Sequence, residues 1–385
     1  MLEKALSGDR NYWTWIVFLL LVMITGGFCY MKQLETGLGI TGMSRDVSWG
    51  FYIAQFTFLV GVAASAVMVV LPYYLHNFKA FARMTILGEL LAVVAVSMCL
   101  LFIVIDLGQP QRMLNILFHP TPHSILFWDM IVLNGYLLIN IIITRVTLLA
   151  ERRSEAPPRW IKPIIYLSIP WAVSIHTVTA FILCGLAARP YWLTALMAPR
   201  FLASAFASGP ALLILLCLIL RRVSSYDVGL DAIFTLALIV AYAMAINIFF
   251  ILVELFTPLY SHIPDELEHF RYLFIGLGGH ARLVPWMWAS VTLSTASLVL
   301  LIHPRTRRTI KTLVLACVLG IAGIWIEKGF IMVVAGFIPN PLGQITEYSP
   351  TLPELLISAG VYAAGLFMIT ILYKVAIGVR EEMEG

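Results

Sequence analysis

Charge is what this chain has least of. Asp, Glu, Lys and Arg make up 12% of its 385 residues, against roughly 25% in a soluble domain. That is too little to keep a globular surface hydrated. With 61% hydrophobic residues and a mean hydropathy of +0.92, the sequence takes lipid as its solvent. Cysteine is scarce as well. Cys29, Cys99, Cys184, Cys217 and Cys317 all fall within apolar stretches and form no CxxC pair. A disulfide framework, a CxxCH haem attachment and a cysteine-ligated cluster are thereby disfavoured, and the five read as small buried hydrophobes. The formal net charge is +4, and the basic residues sit in short connections rather than a patch, which gives nucleic acid no footing. No hydrophilic stretch is long enough for a soluble domain, so any soluble redox domain must come from another subunit.

What the chain does have is ten apolar stretches, near 13–31, 50–75, 84–106, 124–149, 163–188, 201–220, 231–257, 283–302, 310–338 and 352–374. Each is close to or above the length of about 20 residues that a helix needs to cross a bilayer. A backbone in lipid must satisfy its own hydrogen bonds, so the stretches are helices. The expected fold is an all-α integral membrane protein with ten transmembrane helices. The first stretch lacks a small-residue cleavage site and is expected to stay as an anchor.

Ten spans put both termini on one side. That side carries Lys4, Arg10, Lys79, Arg83, Arg145, Arg152, Arg153, Arg159, Lys162, Arg221, Arg222, Arg305, Arg307, Arg308, Lys311, Lys374 and Arg380, seventeen in all. The opposite side carries seven: Lys32, Arg45, Arg112, Arg189, Arg200, Arg271 and Arg282. The positive-inside rule then makes both termini cytoplasmic, in a multi-pass protein of the cell membrane. The opposite connections (32–49, 107–123, 189–200, 258–282 and 339–351) are longer and richer in Pro, Gly and aromatic residues. They read as a docking platform or as ordinary connectors with interfacial aromatics.

Ionisable groups within spans are costly, so each is a functional candidate. Asp106 ends the third span and is followed by Arg112, His119 and His123. Asp129 opens the fourth, with Tyr136 and Asn140 on the same helical face. The fifth carries His176 near its middle, the seventh Asn247 and Glu254 on one face, and the ninth Glu327 and Lys328 near mid-membrane. Glu89 lies in the cytoplasmic third of the third span; Trp49, Tyr52 and Gln55 open the second. Carboxylates, a histidine and aromatics near one surface suit a quinone head group, which needs a partner for each oxygen and a proton exchanger. His176 has an unperturbed pKa near neutrality, and Asp129 or Glu254 suits proton relay. Plainer readings stand beside these. Asp106 and Arg112 pair to fix a loop, Glu327 and Lys328 form structural ion pairs with separate partners, His176 packs as a satisfied side chain, and Glu89 snorkels or is solvated. A membrane haem needs two facing axial histidines, and only His176 lies well inside a span. A solitary secondary transporter is the competing class, against which the spans show no obvious pair of Gly/Pro-broken helices.

Two segments carry a family resemblance. Trp49-Gly50-Phe51-Tyr52-Ile53-Ala54-Gln55-Phe56, followed by Val60-Gly61-Val62-Ala63-Ala64, resembles the second span of the NrfD/PsrC family. Ile105-Asp106-Leu107-Gly108-Gln109-Pro110-Gln111-Arg112, leading to Pro122-His123-Ser124 and Trp128-Asp129, resembles that family's DLGxPxR…S connection. Within the family the chain looks most like the DsrP subunits of DsrMKJOP complexes, with related subunits in Hmc, Qrc, polysulfide reductase and alternative complex III assemblies.

The resemblance implies a subunit without haem or iron–sulfur cluster that oxidises menaquinol or reduces menaquinone near the periplasmic face, in sulfite or sulfate metabolism. It implies two four-helix bundles, spans 2–5 (50–188) and 6–9 (189–338). The first span with its loop (1–49) and the last with its loop (339–385) are peripheral, all within one membrane domain. It implies as partners a periplasmic ferredoxin-like iron–sulfur subunit, a multihaem cytochrome c, a membrane cytochrome b and a cytoplasmic iron–sulfur subunit, besides membrane lipids. Carried onto this chain, His176, Asp106 and Asp129 move protons. Tyr52, Gln55, Trp49, Arg112 and His123 join His176 around the quinone. Apart from the resemblance, the buried polar residues raise a second hypothesis of ion translocation, in which Glu89, Asn140, Asn247, Glu254, Glu327 and Lys328 line a proton path rather than form isolated ion pairs. Asp129 departs from the small residue common in the family.

Overall fold

The computed structural model describes residues 7–153 and 155–384, the last four by their backbone alone. Lys4, counted above among the basic residues, lies outside the described residues. Ten helices are long and apolar enough to span a membrane: α1 (Arg10–Thr36), α2 (Phe51–Leu75), α3 (Lys79–Asp106), α4 (Ile125–Arg152), α5 (Ile161–Cys184), α6 (Met197–Val223), α7 (Leu230–Ser261), α8 (Val284–Ile302), α9 (Ile310–Ala335) and α10 (Leu352–Arg380). The expected number and order of spans hold. Below, the terminal face is the end at which α1 begins and α10 finishes; the distal face is the other.

Burial follows composition. α2 is the most enclosed span, and α1 the most exposed to lipid. α2 packs on α3, α5, α6 and α9; α4 on α5; α6 on α7 and α9; α8 on α7 and α9. α1 packs along α10, which leans on α3 and α4. Small residues allow the α1–α10 approach, because a side chain at Gly26 would meet the Gly360 backbone at 2.8 Å. Close contact through small residues is how helices associate without a hydrophobic force between them.

Two spans are irregular: the break in α2 contains neither Gly nor Pro, while the turn in α9 contains Gly329. In α2 the regular helix stops at Ala63 and resumes at Val67. Across Ala64-Ser65-Ala66 the ladder tightens, with Ala64 N–H donating to Gly61 O (3.1 Å) and Ser65 N–H to Val62 O (3.0 Å). α9 is α-helical to Ile324, forms a π-helical turn over Trp325–Ile331, and returns to α over Met332–Ala335. The two irregular spans pack on each other. π turns inserted in α-helices are frequent at functional sites.

The distal connections are tied down. Glu354, fully buried at the start of α10, accepts from Gly42 N–H (2.7 Å), Thr351 N–H (2.8 Å) and Tyr348 O–H (2.7 Å). Phe51 N–H donates to the Tyr348 hydroxyl in turn (2.7 Å). Trp192 donates to Met332 O (2.7 Å) and meets Trp49 in a stack, with Phe337 at its edge. A short helix, Pro264–Phe274, buries His269, whose Nδ1 lies 3.0 Å from Ala335 O and 2.7 Å from Ile338 O. Two carbonyl acceptors fix Nδ1 as the protonated nitrogen. Burial pushes the His269 pKa down.

Candidate functional sites within the spans

The interior polar groups sort into separate clusters. The first surrounds His176. This imidazole is 0% exposed, and neither ring nitrogen has a hydrogen-bond partner. Buried polar atoms are rarely left so. The expectation of a satisfied packing histidine is overturned. One turn along α5, Thr179 donates to the Asp129 carboxylate of α4 (2.8 Å). Both are buried. Lys328 lies within electrostatic range of the imidazole.

Asp129, Tyr136 and Asn140 share one buried face, as the spacing predicts. Asn140 donates back to Tyr136 O (2.8 Å). The Tyr136 hydroxyl lies 3.4 Å from Ala63 O, beside the tightened turn of α2.

Tyr52 and Gln55, expected at the same site, direct their hydrogen bonds elsewhere. Tyr52 donates to Gln33 Oε1 (2.7 Å), and Gln33 Nε2 donates to Ile105 O (2.7 Å), linking α1, α2 and α3. Asp106 sits near this group with Glu354, and its Oδ1 is buried without a partner. Gln55 Oε1 accepts from Trp325 (2.8 Å) and from Tyr362 (2.7 Å). Trp49 belongs to the distal aromatic stack. Arg112 and His123 are exposed in the α3–α4 connection. Arg112 makes no ion pair with Asp106, so the expected loop-fixing pair is absent among the described residues.

The third cluster centres on a residue that the basic-residue count left in a loop. Arg200 lies inside α6 and is 3% exposed. Its guanidinium joins Glu254 of α7 through one terminal nitrogen and Glu327 of α9 through the other. A planar fork with fixed donors is suited to holding two carboxylates at once. Glu254 Oε1, Glu327 Oε2 and Arg200 Nε remain buried without partners. A cavity of about 230 Å³ reaches Glu254 from the distal connections, lined also by Tyr191, Thr194, Thr257 and Glu266. Burial raises the Glu266 and Tyr191 pKa values.

Glu327 and Lys328 do take separate partners. While Glu327 meets Arg200, the Lys328 ammonium lies 3.1 Å from Phe201 O and 4.5 Å above the Phe201 ring. It also lies against α2, since a side chain at Gly61 would come within 3.1 Å of it. Both residues lie in the distal half of α9. Glu89 is 3% exposed, so it neither snorkels nor meets solvent; Glu151 and Arg380 lie within its electrostatic range. Asn247 is buried, with no partner for either amide atom. His280, in a distal connection, lies 3.4 Å from Glu347.

Known proteins resemble the chain over nearly its whole length. The Hdr-like menaquinol oxidoreductase integral membrane subunit of Archaeoglobus fulgidus is 24% identical, over 94% of this chain and 92% of its own length. A selenate reductase subunit of Mesobacillus selenatarsenatis is 23% identical, over 94% and 92%. The menaquinone reductase integral membrane subunit of Nitratidesulfovibrio vulgaris is 22% identical, over 94% and 91%. The model of the family described as Polysulphide reductase, NrfD matches residues 39–339. That match takes in α2 to α9 with the His176 and Arg200 clusters, and the chain therefore belongs to the NrfD family.

Proposed function

We propose that this chain is the quinone-interacting integral membrane subunit of a multi-subunit oxidoreductase, oxidising menaquinol or reducing menaquinone. The observation that carries the reading is the His176 imidazole, enclosed by protein with both nitrogens unpartnered. Such a group fits a ligand oxygen that is alternately hydroxyl and carbonyl, because an imidazole with two free nitrogens donates at one and accepts at the other. Two relatives named for menaquinol or menaquinone chemistry support it.

Bound menaquinol supplies two electrons and two protons. His176 holds one head-group oxygen and carries its proton, and Asp129, tethered by Thr179, relays that proton towards the distal end of α4. Since His176 has no exposed surface, the head group enters by local displacement of the packed spans around it. The electrons pass to an iron–sulfur subunit docked on the distal connections. On this reading the distal face is periplasmic, and α2–α5 and α6–α9 form the two bundles. The subunit is of the DsrP kind, working in sulfur metabolism beside a multihaem cytochrome c, a membrane cytochrome b and a cytoplasmic iron–sulfur protein.

The test is purification from native membranes in mild detergent, with subunits and quinone identified by mass spectrometry. Menaquinol oxidation is then compared between wild type and His176→Gln. The expected result is co-purified iron–sulfur and cytochrome subunits with menaquinone, and loss of turnover in a variant of normal abundance. Wild-type turnover in the variant removes His176 from the mechanism. A lone chain without quinone moves the weight to a transporter.

A second reading adds proton translocation. It is favoured by the free carboxylate oxygens of Glu254 and Glu327 and by the cavity that reaches Glu254. Proton uptake during turnover, lost in Glu327→Gln, is the expected signature; uptake unchanged in that variant refutes it.

A further inference from the structure

At the terminal face a crevice of about 1110 Å³ opens between α1, α6 and α10. Its walls are apolar, formed chiefly by Leu216, Ile219, Leu366 and Ile369. Ile219 and Leu366 keep 55% and 43% of their surface exposed. Trp15 closes the α1–α10 side by donating to Thr370 Oγ1 (3.2 Å).

One end of the crevice is polar. There the Lys374 ammonium lies 3.4 Å above the Tyr12 ring and donates to Ser7 O. An ammonium has three donors, so this contact leaves hydrogen-bonding capacity. Asn11 lines the same end. Among the described residues Asp9 is the one acid in the lining; its Oδ1 is engaged by Tyr12 N–H (2.9 Å), and it lies within electrostatic range of Lys374. On α6, Arg221 and Arg222 sit between the lining residues Leu220 and Val223. Arg221 faces Asp227 at 3.3 Å, while Arg222 is exposed and pairs with no carboxylate among the described residues. Among the described residues, the cations Lys374, Arg221 and Arg222 therefore outnumber the anions Asp9 and Asp227 around the mouth.

From this arrangement we infer that the crevice seats one phospholipid with an anionic head group. Its phosphate rests on Lys374 and Asn11, and its acyl chains lie along Leu216, Ile219, Leu366 and Ile369. The walls ask for no hydrogen bond, which suits hydrocarbon. The ammonium stands six residues before the end of α10, about 9 Å along the helix axis, at the depth where Tyr and Trp mark the membrane–water boundary. Basic pockets between spanning helices take anionic head groups in this manner. Lipid binding here is independent of the quinone reading, since the crevice lies at the face opposite the His176 and Arg200 clusters.

The test is native mass spectrometry of the intact complex from nanodiscs of phosphatidylcholine mixed with phosphatidylglycerol. The wild type is expected to retain phosphatidylglycerol in preference to phosphatidylcholine. Lys374→Gln should lower that retention about fivefold, which corresponds to about 1 kcal/mol for one basic side chain. Ile219→Trp, at a lipid-exposed position where folding tolerates bulk, should abolish it by filling the groove. Equal retention in all three proteins, or no preference between the lipids, overturns the proposal. Loss of a bound quinone rather than a phospholipid in Ile219→Trp assigns the crevice to a quinone tail and also overturns it.

Discussion

Replacing Arg200 with Met removes one cation that holds two buried carboxylates. Arg200, Glu254 and Glu327 are 3%, 8% and 3% exposed, so solvent cannot stand in for the missing guanidinium. Breaking a buried ion pair by deleting one partner costs about 3–5 kcal/mol, because the other charge is stranded. Here two charges are stranded together, on α7 and α9, so Arg200→Met should reach at least the upper end of that range. Arg200→Lys should fall between, since a point charge cannot span both carboxylates as the fork does. Replacing all three polar residues strands nothing: Arg200→Met with Glu254→Gln and Glu327→Gln should recover most of the loss. Unfolding by titration with SDS in mixed micelles, followed by tryptophan fluorescence, measures the differences. If Arg200→Met unfolds with wild type, or if the triple variant is no more stable than the single one, the three residues are not a stabilising unit.

Two further expectations follow from the distal connections. The His269 pKa is lowered by burial, so the folded state binds the proton less readily than the unfolded one. Its stabilising contribution is complete above the unfolded pKa near 6.5 and is lost as pH falls below that value. Amide protection across 264–274, taken relative to the intrinsic exchange rate at each pH, should therefore fall between pH 7.5 and pH 5.5 more than protection in α2 does; equal change in both segments refutes it. Gly336→Ala should destabilise by about 1–3 kcal/mol through overpacking. The added carbon would lie 1.9 Å from the Trp192 ring, and the hydrogen bond to Met332 O prevents that ring from moving aside. Unchanged SDS unfolding in this variant would mean that Trp192 does not clamp α9.

Hydropathy made the ten spans legible because lipid leaves a helix no reason to interrupt its apolar run. The same rule misplaced Arg200. A basic residue in the first turn of α6, at the end of the 189–200 connection, has the look of a loop anchor. Nothing local announces that Glu254 and Glu327, more than fifty and a hundred positions away, converge on it. The buried faces of Asp129-Tyr136-Asn140 and Asn247-Glu254 were readable, since helical spacing alone fixes them. Which span each face meets is not readable, and so the sequence groups Tyr52 and Gln55 with His176 while their hydrogen bonds run to Gln33, Trp325 and Tyr362. Gln33 and Glu354 escaped notice because they sit where spans pass into loops, at positions that favour solvated side chains. The break in α2 at Ala64-Ser65-Ala66 had no composition signal at all; its tight turns lie against Gly209 of α6, a contact that only the packed fold supplies.

The π turn of α9 also behaves as a one-residue insertion. Relative to an unbroken α-helix, one extra residue displaces everything after it by about 100° around the axis and about 1.5 Å along it. Phase, not composition, is what the turn sets. It lets the terminal part of α9 face α8 and α6 while Glu327 and Lys328 meet two consecutive residues of α6. Met332, further on, still lands beneath Trp192. Deleting one residue from Trp325–Ile331 would leave hydrophobicity and span length nearly unchanged. It would rotate Met332 and the stretch to Ile338 out of phase with Trp192 and His269. The distal architecture is thus keyed to a single added residue in mid-helix, so relatives should align there without gaps or not at all.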